Sequence, residues 1–405
     1  MLLIDKAYNL GVIRTMSIAM YPSRLQAAQL ERYLFVGRVA FNRALESRIH
    51  WYKTSGNTLS FYEQCADLTA IRAADKFWSD VPVQIERDAL RRLDLAYKHF
   101  FRRVKERNGK AGFPRFKGRN RWESFSVNDP GQVVRNGRIR VSGLNLPIRC
   151  RNLRPVEGDI KQQRIVRRAG KWFCQLVIDD GNAAPPLVPI RSAVGIDVGL
   201  TKFAVLSNGE SVNNPRFGKR LARKLAHAHR LVSQTTKGSR NRRKRVCRLQ
   251  RVYRNISDAR LNFTHHASKA VVSKHQFIAV EDLNIAGMVR GRFAKGILDA
   301  CWSQFIFQCG YKAEGAGATL LKVEPRGTSQ ECSGCGENVP KDLSVRVHSC
   351  PGCGLVIGRD LNAAKNILRR ALHSSDHRAA VGRSVMPVEE FVGTPSNQEV
   401  LATHC

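Results

Sequence analysis

The spacing of apolar side chains predicts long helices in the first part of the chain and short strands after them. Apolar residues recur at helical spacing over residues 27–45 and again over 84–105, so each stretch predicts a helix with one buried face. Residues 16–20 alternate between apolar and polar or small side chains, as in a half-buried strand. Between 124 and 179 the apolar runs are short and separated by Gly, Asn and Pro, which is typical of a small antiparallel β-domain.

Beyond a linker that contains two adjacent prolines, the pattern changes to apolar strands that carry acidic residues. Residues 193–199 and 277–283 predict two buried strands. The first strand is interrupted by Asp197, and the second ends in Glu281 and Asp282. A charge inside an apolar strand costs free energy unless it is paired or bound to a metal, so Asp197 is the strongest candidate for a functional acid.

The rest of the second half combines a basic segment with a strand and a terminal helix. Residues 217–255 are rich in Lys and Arg and contain no acidic residue, which predicts two basic helices joined near Gly238. A further strand is predicted at 319–323, and a helix at 360–372. Residues 374–405 show little periodicity, so we expect a disordered tail.

The charge balance of the whole chain points to a polyanionic partner. Lys and Arg number 68 against 33 Asp and Glu among 405 residues, a formal net charge of +35. So much positive charge repels itself, and nucleic acid is the leading partner that would neutralise it. A merely basic surface is the alternative. No signal peptide and no apolar run of membrane-spanning length is found in the sequence, so we expect a cytoplasmic protein with no membrane partner.

Four cysteines form two Cys-x2-Cys pairs, a spacing typical of a zinc ribbon. In a reducing compartment, clustered cysteines indicate metal ligands rather than disulfides. Four thiolates leave no open coordination position, so the predicted zinc ion is structural. The predicted zinc ligands are Cys332, Cys335, Cys350 and Cys353. The cysteines that we interpret as core or surface thiols are Cys65, Cys150, Cys174, Cys247, Cys301, Cys309 and Cys405.

The placed acids suggest a second, catalytic metal site. Hydrolysis of a phosphodiester by two divalent ions requires several carboxylates that converge from different elements, and Mg²⁺ and Mn²⁺ prefer oxygen ligands. Asp197, Glu281 and Asp360 lie on three predicted elements and could supply them. For Glu281 a solvent-facing strand end, and for Asp360 an ordinary helix N-cap, are the structural alternatives. Asp282 is a weaker candidate, because strand alternation turns its side chain to the opposite face.

These residues stand in segments that resemble the TnpB proteins of bacterial insertion elements, a family related to type V CRISPR effectors. The resemblance covers roughly residues 13–372 and is most specific in the second half. One departure is Gly358, which stands where the family often has a second Asp two residues before the catalytic one. The matching segments are Tyr21-Pro22, 112–116, 194–199, 280–283, 323–330 and 359–364, together with the cysteine pairs.

The resemblance implies an RNA-guided DNA endonuclease. Asp197, Glu281 and Asp360 match the catalytic acids that hold Mg²⁺ or Mn²⁺, and the four cysteines match the zinc ligands. It further implies a guide RNA from the transposon end, a double-stranded DNA target with a short adjacent motif, and a monomer in the ribonucleoprotein. Base pairing with the guide would recognise the DNA sequence, while the protein would bind the charged backbone and the A-form shape of the duplex.

The fold class that the resemblance implies is α/β with β-barrel and helical parts. An RNase H-like (RuvC) nuclease core with an inserted zinc ribbon follows a wedge β-barrel that carries a helical recognition insertion. The implied order is barrel strands at 1–22, recognition helices at 23–115, the rest of the barrel and a linker at 116–189, the core at 190–325 with its basic hairpin at about 216–256, the ribbon at 326–356, the last core helix at 357–373 and the tail at 374–405.

Three other functions remain open from the sequence. A conventional transposase would use an acidic triad on the same fold. A catalytically weak, RNA-guided DNA-binding regulator is kept open by Gly358, although all three acids are present. A zinc-ribbon RNA-binding protein without enzymatic activity would leave the placed acids unexplained.

Overall fold

The computed structural model describes residues 13–106, 111–151, 153, 155–182, 185–342 and 344–373. The chain divides into two compact units, Met1–Ala183 and Ala184–Cys405. The predicted tail and residues 1–12 lie outside the described residues. None of the described helices combines the length and the apolar character that crossing a lipid bilayer requires.

Helices dominate the first half of the first unit. The two predicted long helices are confirmed as α1 and α4, and the shorter α2 and α3 between them were not predicted. Ser23 caps α1 in a capping box with Gln26, and Gly56 ends it in a left-handed conformation at φ 70°. The helices are α1 (Arg24–Ser55), α2 (Phe61–Ala74), α3 (Lys76–Ser79) and α4 (Val83–Glu106).

A seven-stranded antiparallel sheet completes this unit. Along β7 buried and less buried residues alternate without a break, which places Trp172, Cys174 and Leu176 in the core. The strands are β1 (Ile13–Tyr21), β2 (Ser124–Asn128), β3 (Val134–Arg135), β4 (Arg138–Ile139), β5 (Ile148–Cys150), β6 (Asp159–Arg168) and β7 (Lys171–Asp179). The order is β2-β6-β7-β1-β5-β4-β3, and the edge strands β2 and β3 are not paired with each other in the described ranges. The predicted antiparallel β-domain is confirmed, and its closure into a wedge barrel stays a prediction.

The second unit is built on a five-stranded mixed sheet in the order β10-β9-β8-β11-β12. Strands β8, β11 and β12 run parallel to one another, whereas β9 and β10 are antiparallel to their neighbours. The strands are β8 (Ala193–Val198), β9 (Lys202–Leu206), β10 (Ser211–Asn213), β11 (Phe277–Glu281) and β12 (Thr319–Val323).

Helices cover both faces of this sheet. The helices are α5 (Phe217–Arg220), α6 (Ala222–Ser233), α7 (Arg240–Val272), α8 (Ile285–Met288), α9 (Ala294–Ala300), α10 (Trp302–Glu314) and α11 (Arg359–His373). Ile278 and Val280 of β11 pack in the core that includes Trp302 and Phe305 of α10. Phe277 and Ala279 pack in a second core with Ile367 and Ala371 of α11. Successive β11 residues therefore face opposite helical layers, as strand alternation requires.

The predicted basic hairpin is confirmed as α6 and α7. Arg242 holds the end of α6, because its guanidinium donates to the carbonyls of Val232 (2.9 Å) and Thr235 (3.0 Å). The second helix runs to Val272, well past the predicted end, because its later turns carry residues such as Ile256 and Ala267 that are buried in the unit. The first half of α7 is therefore basic, and its second half packs in the core of the unit.

Candidate active site and metal centre

Two of the predicted acids lie at the same edge of the five-stranded sheet and face the same way. Strands β8 and β11 are parallel neighbours in which Ile196 pairs with Val280. Asp197 and Glu281 directly follow these two residues in the chain. On β11, Glu281 shares a face with Phe277 and Ala279, which is the face covered by α11. On β8 the same alternation gives Asp197 the face of Gly195.

Helix α11 crosses the sheet at Gly195 and carries the third acid. A Cβ atom at position 195 would lie 2.1 Å from the carbonyl oxygen of Ala364, so only glycine permits this close approach. Asp360 lies four residues before Ala364 and therefore on the same side of the helix. The contact at Gly195 thus brings Asp360 towards Asp197. The alternative reading of Asp360 as an N-cap does not hold, because α11 already begins at Arg359.

The pKa of Asp197 reflects its burial and the charges of the other two acids. Burial raises the pKa of Asp197 well above its ordinary value, and the charges of Glu281 and Asp360 raise it further. Arg359 opposes the shift of this pKa, and its guanidinium lies 3.6 Å from Asp360. All three residues are intermediate in exposure.

Glu281 is held by a hydroxyl group, whereas its neighbour Asp282 turns away. Thr328 donates to Glu281 Oε1 at 2.6 Å. Burial raises the pKa of Glu281, while the Thr328 hydrogen bond and the charge of Arg370 act to lower it. Asp282 is exposed and pairs with Lys322 at 3.2 Å. This arrangement agrees with the prediction that Asp282 is a weaker candidate than Glu281 for the metal site.

The acids do not form a compact ligand cage as they stand. In the part of the chain that the structure describes, only one group of three or more His, Cys, Asp or Glu ligand atoms falls within 4.8 Å of one another. That group is the four predicted cysteines. The carboxylates nevertheless present the oxygen donors that a hard divalent cation prefers.

The cysteine cluster has the size of a tetrahedral zinc site. The Sγ atoms of Cys332 and Cys353 lie 3.6 Å apart, and those of Cys335 and Cys350 lie 3.5 Å apart. A tetrahedral ion with Zn–S bonds of about 2.3 Å would separate its sulfurs by roughly 3.8 Å. Cys332 and Cys350 are buried, while Cys335 and Cys353 are exposed.

Backbone donors lower the pKa of one of the four thiols. Burial acts to raise the pKa of the Cys332 thiol, but hydrogen bonds from the amides of Cys335 and Gly334 oppose it, and the pKa is lowered to about 5. A thiolate is the form that ligates zinc. The second cysteine pair lies in the turn between β13 (Val347–Ser349) and β14 (Val356–Gly358), and β14 runs directly into α11.

Helix α11 also grips the segment that leads into the cluster. Asn362 donates to the carbonyl of Glu331 at 2.7 Å and accepts from the amide of Ser333 at 2.9 Å. Asn366 donates to the carbonyls of Thr328 at 2.9 Å and Glu331 at 2.6 Å. No sequence pattern predicted a role for Thr328, Asn362 or Asn366. Two asparagines one turn apart on an apolar helix were the available signal, since buried amides need partners.

The remaining described cysteines lie outside the cluster, as expected. Cys174 and Cys309 are buried, and burial raises the pKa of each thiol to about 12. Cys247 is exposed, and the others are intermediate. Cys405 lies outside the described residues.

Three family models match separate parts of the chain. The model described as "Probable transposase" matches residues 173–292, "Cas12f1-like, TNB domain" matches 302–367, and "Helix-turn-helix domain" matches 12–57. Two of the predicted acids lie in the first match, and Asp360 and the cysteines lie in the second. The described part of the third match forms β1 and the single helix α1 rather than two helices joined by a turn. These matches place the chain in the class of transposase-related proteins.

Relatives match almost the whole chain. A "Putative RNA-guided DNA endonuclease" of Streptomyces pristinaespiralis is 32% identical over 94% of this chain and 93% of its own length. The "Putative RNA-guided DNA endonuclease InsQ" of Escherichia coli (strain K12) is 29% identical over 93% of this chain and 95% of its own length. The chain belongs to the TnpB family.

Solved structures are more distant. "Structure of the mini-RNA-guided endonuclease CRISPR-Cas_phi3" aligns over 94% of each chain with 9% identity and a TM-score of 0.47.

Proposed function

We propose that this chain is an RNA-guided DNA endonuclease encoded by an insertion element, and that Asp197, Glu281 and Asp360 form its nuclease site. The observation that carries the proposal is the convergence of three elements at one sheet edge. Strand alternation turns Asp197 and Glu281 to the face that α11 covers, and α11 carries Asp360. Near full-length similarity to proteins named RNA-guided DNA endonucleases supports the same function.

The three acids would hold Mg²⁺ or Mn²⁺. A pair of bound divalent ions supplies an activated water and stabilises the leaving oxygen of a phosphodiester. The residues fit such ions, because partly exposed carboxylates that repel one another gain from a shared cation. Arg359 beside Asp360 offsets part of the acidic charge. In our proposal the second unit is accordingly an RNase H-like (RuvC) core, which the mixed order β10-β9-β8-β11-β12 supports, and the sheet of the first unit is the wedge.

The basic hairpin of α6 and α7 would grip a nucleic-acid backbone. Arg240, Lys244, Arg248 and Arg251 are exposed and follow one side of α7, since they lie three or four residues apart. The side chains of these four residues form no ion pair or hydrogen bond within the described ranges. Lys and Arg without stacking aromatics suit the phosphates of a duplex rather than unstacked bases.

We propose that the four cysteines bind one structural Zn²⁺. Cys332→Ser should lose the bound zinc and expose the ribbon to proteolysis, because zinc binding contributes free energy of folding. Metal analysis by mass spectrometry together with limited proteolysis measures both effects. The exposed Cys247→Ser is the matched control and should keep its zinc. A Cys332→Ser protein with full zinc content would contradict the assignment.

The experiment that tests the proposal is purification of the protein from cells that carry its own locus, followed by sequencing of the bound nucleic acid. We expect a discrete RNA whose end maps to the transposon boundary. The chain should be a monomer in that ribonucleoprotein. The complex should cut double-stranded DNA that pairs with the guide beside a short adjacent motif, and RNA affinity should fall steeply with salt.

The same preparation separates the alternatives. Joining of transposon-end DNA without RNA would favour a conventional transposase and overturn the proposal. Guide-dependent DNA binding with no cutting in Mg²⁺ or Mn²⁺ would favour the regulator, for which Gly358 is the motivating residue. Absence of any bound RNA would refute RNA guidance.

A further inference from the structure

The segment that follows β12 turns back over Glu281. In the parallel pair β11–β12, Glu281 lies opposite Val323, so the chain leaves β12 at the edge where the acids lie. Gly327 at φ 78° makes the turn, and its carbonyl accepts from the amides of Gln330 and Glu331 at 2.9 Å each. Thr328 follows this glycine and is only 2% exposed.

The Thr328 hydroxyl is the hydrogen-bond partner of Glu281. Its Oγ1 lies 2.6 Å from Glu281 Oε1 and 3.0 Å from the carbonyl oxygen of Pro325. The hydroxyl has a single hydrogen to donate. It donates to the carboxylate, which is the closer and the stronger of the two acceptors. No second hydrogen bond to the carboxylate of Glu281 is found in the ranges that the structure describes.

Helix α11 fixes the position of Thr328. Asn366 binds the Thr328 carbonyl, and Arg370 donates to the carbonyls of Arg326 at 2.7 Å and Glu324 at 3.1 Å. Asn366 is fully buried, so its amide cannot exchange these contacts for water. The helix that carries Asp360 therefore also sets the turn that orients Glu281.

We propose that Thr328 is a positioning residue for Glu281, which it orients towards the divalent cations of the nuclease site. The inference rests on the proposed function. Partners that orient a metal ligand contribute about 10- to 100-fold to metal affinity or activity. Because the bond locks one carboxylate oxygen, the other remains free to face a cation.

The test compares Thr328→Val, which removes the hydroxyl at nearly constant shape, with Thr328→Ser, which keeps it. Binding of Mn²⁺ to the full-length protein is measured by electron paramagnetic resonance, and cleavage is titrated with Mg²⁺. We expect Thr328→Val to weaken Asp197-dependent Mn²⁺ binding about 10- to 100-fold and to raise the Mg²⁺ concentration for half-maximal cleavage. Thr328→Ser should restore both towards wild type, which a loss of packing alone would not do.

Thr264→Val is the matched control. Thr264 is also fully buried, but its hydroxyl binds the backbone carbonyl of Leu261 within α7 at 3.1 Å. It should leave Mn²⁺ affinity unchanged. If Thr328→Val does not fold, Thr328→Ala against Thr328→Ser isolates the hydroxyl instead.

The outcomes separate this inference from the proposed function. Wild-type Mn²⁺ affinity and Mg²⁺ dependence in the folded hydroxyl-free variant, beside an inactive Asp197→Ala, would overturn the role of Thr328 and leave the nuclease site in place. A wild-type protein with no Asp197-dependent Mn²⁺ binding would contradict the metal site, and this inference with it.

Discussion

Both compact units contain carboxylates that face inward. The side chains beside these carboxylates are basic in the first unit, whereas in the second unit two acids lie beside a third. In the first unit, Glu86 is fully buried and pairs with Arg72, which also donates to the carbonyls of Trp78 and Val81. Asp88 pairs with Arg92 at 2.8 Å. In the second unit, the neighbours that raise the pKa of Asp197 are two further acids.

The difference separates structural acids from functional ones. A buried acid with an arginine is internally neutralised, so it needs nothing from outside the chain. Asp197 instead has two acidic neighbours, whose charges add to the burial that raises its pKa, and a cation would relieve this repulsion. The charge of the neighbours, rather than burial alone, therefore distinguishes Asp197 from Glu86 and Asp88, and four predictions test this distinction.

The largest effect is expected at Asp197. Asp197→Ala should reduce DNA cleavage on the order of 10³-fold or more, because the site loses a ligand to the ions that activate the water. RNA binding should remain. Cleavage kinetics and RNA affinity are the measurements. Asp282→Ala is the control that keeps cutting, since that exposed neighbour pairs with Lys322.

The melting temperature of the metal-free protein sharpens the same comparison. Asp197→Ala removes a carboxylate that burial and like charges disfavour, so it should melt no lower than wild type. Asp88→Ala removes the partner of Arg92 and of the Ser126 amide and should melt lower.

DNA cleavage at the wild-type rate by Asp197→Ala would contradict the assignment of Asp197 to the nuclease site.

The second effect concerns the arginine partner of Glu86. Arg72→Met should destabilise the protein by about 3 kcal/mol, because it leaves a buried carboxylate without its counter-charge. Urea unfolding followed by tryptophan fluorescence measures the loss. The exposed Arg87→Met on α4 is the control and should change stability little. Equal stability of both variants would show that the pair is not what holds Glu86.

The smallest effect is the pH dependence that Glu86 creates. Burial raises the pKa of Glu86 to about 7, although Arg72 acts to lower it. The folded protein therefore binds this proton more tightly than the unfolded chain, whose carboxyl titrates near pH 4.5. The stability that Glu86 contributes should be fully present below that value, be lost as the pH rises through about 7, and then level off.

Glu86→Gln removes this titration. Its unfolding free energy should lose the decline between pH 4.5 and 7, whereas the exposed Glu46→Gln should keep it. The measurement is the urea midpoint across that pH range. A decline that persists in Glu86→Gln would assign the dependence to another group.

Local patterns in the chain were enough to identify the candidate residues. The Cys-x2-Cys pairs indicated four ligands, and the structure places all four within 4.8 Å of one another. Acidic residues are scarce in this basic chain. Their positions on predicted strands and on a helix identified Asp197, Glu281 and Asp360 as candidates. Helical periodicity located α1, α4 and the basic hairpin, because each buries one regular face. It missed α2 and α3, which have few buried side chains.

The sequence by itself determined which residue types are available and on which elements they lie, since spacing and periodicity are local properties. Only the tertiary structure decided which of them meet. Close contact of α11 with Gly195 brings Asp360 towards Asp197, and the turn at Gly327 sets the Thr328 hydroxyl on Glu281. Such contacts join residues far apart in the chain. They depend on the packing of whole elements, which no short window of sequence contains.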